Sequence, residues 1–206
     1  MKKQNLFFDL DGMKFDTLPV FVSYINNRYG IQTKTSDHIG NNDRLDAVIK
    51  KHAPHITLSW EEIYKDVGEN FHSSIVWHKD VEPMEDMCEV ISLLSNKYNL
   101  YTVTARQKVG VHVVQYLLDT HIPGCIDDIH CVWDYIEGKG FFEISKKDFI
   151  KNTQGDNIGF FDDSLNEVMK VKNTIPSYLF DPMDLYADVQ GVTRIRSWQQ
   201  IGHLYL

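Results

Sequence analysis

The feature that most constrains this chain is a recurring pair: a short strand-like run, then a segment with helical spacing. The runs are "NLFF" (5–8), "NLYTVTA" (99–105), "DIHCVW" (128–133), "NIGFF" (157–161), "SYLF" (177–180) and "VTRI" (192–195). Between or after them lie "EPMEDMCEVISLLSNKY", "KVGVHVVQYLLDTH", "SKKDFIKNT", "LNEVMKVKN" and "WQQIGHLYL", with apolar residues spaced for one helix face. Strands that alternate with helices predict a parallel sheet covered on both faces, an α/β three-layer sandwich of the Rossmann-like kind. No apolar run approaches ~18 residues, so no membrane span is expected.

The first connection breaks this rhythm. "LPVFVSYINNRYG" reads as a helix closed by Gly30, and "NDRLDAVIKKHA" and "SWEEIYKDVGENFHSSIVW" as two amphipathic helices. Ser59 and Glu62 are spaced for a capping box at the start of the last. With no strand signal in between, residues 18–83 are expected to form a small helical cap. Residues 1–17 and 84–206 then form the core. A chain of 206 residues with 43% hydrophobic content is long enough for a core and an accessory lobe of this size.

Charge and cysteine content narrow the function classes. The formal net charge is −8, and no run of Lys or Arg offers a local exception, so a nucleic acid polymer is not an expected partner. Cys88, Cys125 and Cys131 are odd in number and unpatterned, which fits reduced thiols in the cytoplasm. His121, Cys125, His130 and Cys131 lack the close pair spacing of a zinc site. The start, Met-Lys-Lys-Gln-Asn, runs straight into the first strand without a signal-peptide apolar region.

In sheets of this kind the working site lies at the carboxyl ends of the strands. There the chain concentrates its chemistry. "NLFF" ends in Asp9-Leu10-Asp11-Gly12, "NLYTV" in Thr104-Ala105-Arg106, and "GFF" in Asp162-Asp163-Ser164, with Lys146-Lys147 just ahead of that last strand. Carboxylates converging on one point repel unless a cation neutralises them. Oxygen ligands without His or Cys suit Mg²⁺, which takes one or two carboxylates and leaves positions for water and phosphate. A carboxylate beside such an ion can attack phosphorus, and a second can move the proton of the leaving oxygen.

"FFDLDG", "LYTVTA", the Lys146-Lys147 pair and "GFFDDS" occur in the order of the four motifs of the haloacid dehalogenase (HAD) superfamily of phosphatases, which the chain resembles. The resemblance implies a phosphatase using Mg²⁺ and an aspartyl-phosphate intermediate. Asp9 would be the nucleophile and Asp11 the general acid/base, with the Asp11 backbone carbonyl also on the metal. Thr104 would bind phosphate, Lys147 would stabilise it with Lys146 as runner-up, and Asp162 and Asp163 would complete the metal site. Met13 departs from the Thr or Val of many members.

"TVTARQ", "FFDDSLNEV" and "VTRIRSWQQI" are also similar to the 5′(3′)-deoxyribonucleotidase-like group. That likeness implies a small phosphorylated metabolite such as a nucleoside monophosphate. Ala105 and Arg106 would then line the substrate, with Asp16 either doing the same or capping the following helix. A phosphotransferase or mutase with the same intermediate, and a non-catalytic regulatory protein, are the rival expectations.

Overall fold

The computed structural model describes residues 2–38 and 45–206. Its sheet has seven strands: β1 (Asn5–Phe8), β2 (Asn99–Gln107), β3 (Asp128–Ile136), β4 (Gly140–Glu143), β5 (Asn157–Asp162), β6 (Ser177–Phe180) and β7 (Thr193–Ile195). The spatial order is β4-β3-β2-β1-β5-β6-β7. Every pairing is parallel except β3 with β4. The chain builds outward from β1 through β2 to β4, then returns to β1's other side with β5. That reversal makes the gap between β1 and β5 the switch point, where such sheets bind ligands.

Alternation along β1 sets up both faces. Leu6 and Phe8 enter one apolar layer, with Leu94 and Ile91 of α5 (Met87–Ser95), Val114 and Leu117 of α6 (Val111–His121) and Trp198 of α9 (Trp198–Tyr205). Phe7 enters the opposite layer with Val103, with Ile150 of α7 (Lys146–Asn152), and with Val171 of α8 (Leu165–Val171). Phe8 stacks on Phe161 at 5.1 Å and Phe7 on Tyr101 at 5.0 Å, so aromatic pairs staple β1 to both neighbours.

Between β1 and β2 the sheet is interrupted by α1 (Leu18–Tyr29), α2 (Leu45–His52), α3 (Trp60–Val67), α4 (Ile75–His78) and then α5. The first four share an apolar centre of their own, including Tyr24, Ile25, Ile49, Ile63, Val67 and Phe71. Gly30 ends α1 in the left-handed conformation, and Ser59 and Glu62 form both bonds of the capping box. Asn42, Asp43 and Arg44, expected at the start of a helix, lie outside the described residues. The segment leaves and rejoins the sheet side by side: Asp16 N–H donates to Glu82 O, Met84 N–H donates to Lys14 O, and Phe15 bridges to Pro83.

Three local expectations need correction. The single helix over 59–77 is two, α3 and α4, joined by a π-turn at Gly68–His72. Gly68 sits so close to the Gln107 side chain that a Cβ would collide with it, and the wide turn places it there. The segment opening at Glu82 becomes helical only at Met87, after Asp86 takes a positive φ of 62°. The polar connection after β3 is instead a hairpin: Gly138 and Gly140, at φ 76° and 82°, turn the chain so that β4 pairs antiparallel with β3.

Candidate active site

The site is assembled at the carboxyl ends of β1, β2 and β5. Asp9 is the residue after β1, and Asp162 ends β5, facing it across the switch point. Asp9, Asp162 and Asp163 each offer a carboxylate oxygen, all within 4.8 Å of one another. Gly12 stands against Asp163 at φ 70°, where any Cβ would run into the carboxylate. A side chain at position 12 would therefore close the approach to the acidic cluster.

Lys146 crosses this cluster. Its Nζ donates to Asp9 Oδ1 at 2.5 Å and to Asp162 Oδ2 at 2.7 Å, with all three side chains nearly inaccessible. Lys147, the residue expected here, is exposed. The reason is helical phase. Ser145 caps α7 through a bond from Asp148 N–H, so Lys146 shares the inward face with Ile150, four residues on, while Lys147 turns to solvent.

Thr104 is fully buried near the end of β2, where pairing with β3 loses register between Thr104 and Gln107. Its Oγ1 accepts the Arg106 N–H at 3.2 Å. Arg106 itself turns to Asp11, donating from Nε to Oδ2 at 2.9 Å and from Nη2 to Oδ1 at 2.8 Å. Thr17 Oγ1 donates to Asp11 Oδ1 at 2.6 Å. Thr17 is the residue that opens α1, without a side-chain capping bond. Asp16 is exposed, and Thr17 rather than Asp16 stands at the N-cap of α1.

Electrostatics divides these acids. Burial raises Asp9, and Lys146 only partly offsets it. Burial and the Asp9 charge push Asp162 up to about 7, and the same pressures put Asp163 well above the usual carboxylate range. Burial acts on Asp11 too, but the Arg106 guanidinium and the Thr17 hydroxyl prevail and hold it well below that range. Lys146 is raised: burial disfavours its charge, and Asp162 and Asp9 more than restore it. Three crowded carboxylates, all of them resisting ionisation, form a donor set of hard oxygens that fits a Mg²⁺ ion.

A second buried lysine is absent from the sequence expectations. Lys14 has no exposed surface, and its Nζ donates to Asp9 O at 2.9 Å and Phe8 O at 3.1 Å while lying over the Phe8 ring at 5.3 Å. The signal was a lysine set between the apolar Met13 and Phe15, both of which are buried. Above the site, Tyr64 of α3 donates its hydroxyl to Ala105 O at 3.1 Å. Tyr64 and Trp60 pack against Phe141 of the β3–β4 hairpin at 5.4 and 5.6 Å, and Tyr64 meets Trp133 at 6.0 Å.

Among the described residues no helix is long and apolar enough to cross a membrane. Cys88, Cys125 and Cys131 are all unpaired. No family model and no curated protein matches the chain. Solved structures do. A haloacid dehalogenase-like family hydrolase from Streptococcus pneumoniae shares 14% identity at a TM-score of 0.65, over 99% of both chains. YfnB of Bacillus subtilis, a HAD-type structure bound to magnesium, shares 14% at 0.64, over 100% of this chain and 99% of its own. A predicted phosphatase from Clostridium acetobutylicum shares 15% at 0.66, over 99% and 98%. At these identities the likeness is one of architecture: the chain has the haloacid dehalogenase-like fold along its whole length.

Proposed function

We propose that this protein is a Mg²⁺-dependent phosphatase acting on small phosphomonoesters through an aspartyl-phosphate. The observation that carries the reading is the cluster of Asp9, Asp162 and Asp163 at the β1–β5 switch point, bridged by the Lys146 ammonium. Asp9, Asp162, Asp163 and the Asp11 carbonyl would hold the ion, which when bound supplies charge neutralisation and orients the phosphate. An Asp9 carboxylate oxygen forms a bond to phosphorus as the ester P–O bond breaks, and Asp11 gives its proton to the leaving alkoxide. Asp11 then takes a proton from the water that attacks the phosphorus of the acyl phosphate, releasing phosphate and restoring Asp9.

Thr104 and Lys146 are assigned to the phosphoryl oxygens, where a hydroxyl and an ammonium offset charge that grows in the transition state. Asp11 must leave the Arg106 clasp to act as an acid, so we assign Arg106 to the substrate side, where an incoming anion competes for it. Residues 18–83 serve as the cap that excludes water and selects the leaving group. A nucleoside monophosphate is the first candidate substrate, supported by "TVTARQ" and by the rings of Trp60, Tyr64, Trp133 and Phe141 gathered beside Ala105.

Asp9→Asn tests the reading directly. With p-nitrophenyl phosphate and Mg²⁺ the variant should lose activity by on the order of 10³-fold or more while keeping its circular dichroism spectrum. Retained activity refutes the nucleophile assignment. A panel of nucleotides, sugar phosphates and acceptor alcohols then separates hydrolysis from transfer.

A further inference from the structure

Lys14 is an unusual residue for its place. A lysine with no exposed surface forfeits hydration that is worth several kcal/mol, and it is retained only where something nearby repays the loss. Its surroundings are specific. Nζ donates to two successive backbone carbonyls, Phe8 O and Asp9 O, at the tip of β1, where the chain passes from strand to the Asp9-Leu10-Asp11-Gly12 turn. The Phe8 ring lies beneath it. Burial pushes the Lys14 ammonium down to about 7, an effect that the Asp9, Asp11 and Asp162 charges partly offset and the Lys146 ammonium from α7 reinforces.

We propose that Lys14 is a positioning residue for the nucleophile: its ammonium clamps the Phe8 and Asp9 carbonyls and is a built-in counter-charge to the acidic cluster. The inference rests on reading that cluster as a phosphoryl-transfer site. Geometry gives it two consequences. The clamp fixes the peptide on which the Asp9 carboxylate is carried, so losing it misplaces the attacking oxygen and lowers kcat more than it raises KM. The charge opposes a second cation in the same place, so losing it tightens Mg²⁺ binding. A lysine that only filled space would do neither.

The test is Lys14→Met, which keeps the length and apolar stem of the side chain, with Lys14→Gln as a second variant that keeps a donor for the carbonyls. Calorimetric titration with Mg²⁺ at pH 6.5 and thermal melts in chelator need no turnover. The expected result for Lys14→Met is Mg²⁺ affinity tightened by about tenfold, a lower melting temperature without metal, and a kcat on p-nitrophenyl phosphate reduced at least tenfold with KM within about threefold. Lys14→Gln should share the tighter Mg²⁺ binding and recover part of kcat. Should Lys14→Met not fold, Lys14→Gln alone decides, because tightened metal binding depends only on the lost charge. Unchanged or weakened Mg²⁺ affinity in the folded variant, or kcat equal to wild type, overturns the proposal. Failure of the wild-type protein to bind Mg²⁺ or to hydrolyse any phosphomonoester would instead strike at the phosphatase reading.

Discussion

Replacing Lys146 by Met should reveal how much of the metal-free protein is held together by one ammonium. The side chain is 3% exposed, and its partners Asp9 and Asp162 are 6% and 1% exposed. Removing one member of a buried pair leaves an unscreened charge and costs about 3–5 kcal/mol. Mg²⁺ stabilises both proteins by mass action, so it narrows the deficit only as far as losing the ammonium tightens the site, by about 2.7 kcal/mol for a hundredfold gain in affinity. The expected outcome in urea denaturation, followed by tryptophan fluorescence, is a deficit of about 3–5 kcal/mol in chelator that shrinks by more than half in saturating Mg²⁺. Lys147→Met, on the exposed face, should stay within about 0.5 kcal/mol of wild type in both buffers. The pH dependence has a definite sign. Asp162 binds its proton up to about 7 in the folded protein and only to about 4 when unfolded, so its contribution is full below 4 and is lost as pH rises through 7. The Lys146→Met deficit should therefore be larger at pH 8 than at pH 5. Equal losses for the two lysines, or a Lys146→Met deficit that Mg²⁺ does not ease, would refute the assignment of Lys146 to the cluster.

Three further substitutions probe the inserted helices and their contact with the chain after β2. Burial holds His78 to about 4, with the Arg106 charge adding to the effect, so it is neutral in the folded protein and its contribution is lost as pH falls from 6.5 to 4. His78→Phe should flatten the acid side of the stability profile by roughly 3 kcal/mol at pH 4 relative to wild type, read by denaturation at a series of pH values. Gly110→Ala places a Cβ 2.5 Å from the His72 carbonyl oxygen, which is backbone and cannot turn aside. The variant should lose about 1–3 kcal/mol and expose the 68–73 turn to faster amide exchange, whereas Gly68→Ala meets only the end of the Gln107 side chain and should cost less.

Much of this site is legible in the sequence because charge at the end of a buried strand is expensive, and the chain places it there repeatedly. Asp9, Thr104 and Asp162-Asp163 sit at strand ends that their own apolar runs announce. The capping box at Ser59 is equally local. What escaped was set by phase or by distance. Lys146 and Lys147 differ only in which way a helix is rotated, and Ser145 decides it. Arg106 finds Asp11 across 95 residues of chain, a pairing that no local pattern encodes. The strand β4 depends on two glycines bending the backbone far enough to reach β3, and "GFFE" alone is too short to declare itself.

The paired exit and return of the inserted helices has a mechanical meaning. The outgoing and returning strands of chain are pinned to each other along one line, at Asp16–Glu82, Lys14–Met84 and Phe15–Pro83. Away from that line the helices are also held by Trp60 on Phe141, by the Tyr64 hydroxyl on Ala105 O and by His112 against Ser73 O, so any displacement about it must break these contacts. Lys14 lies on that line. Its carbonyl carries one of these bonds and its ammonium grips the peptide of Asp9, so the edge of the insertion and the Asp9 backbone are joined through one residue.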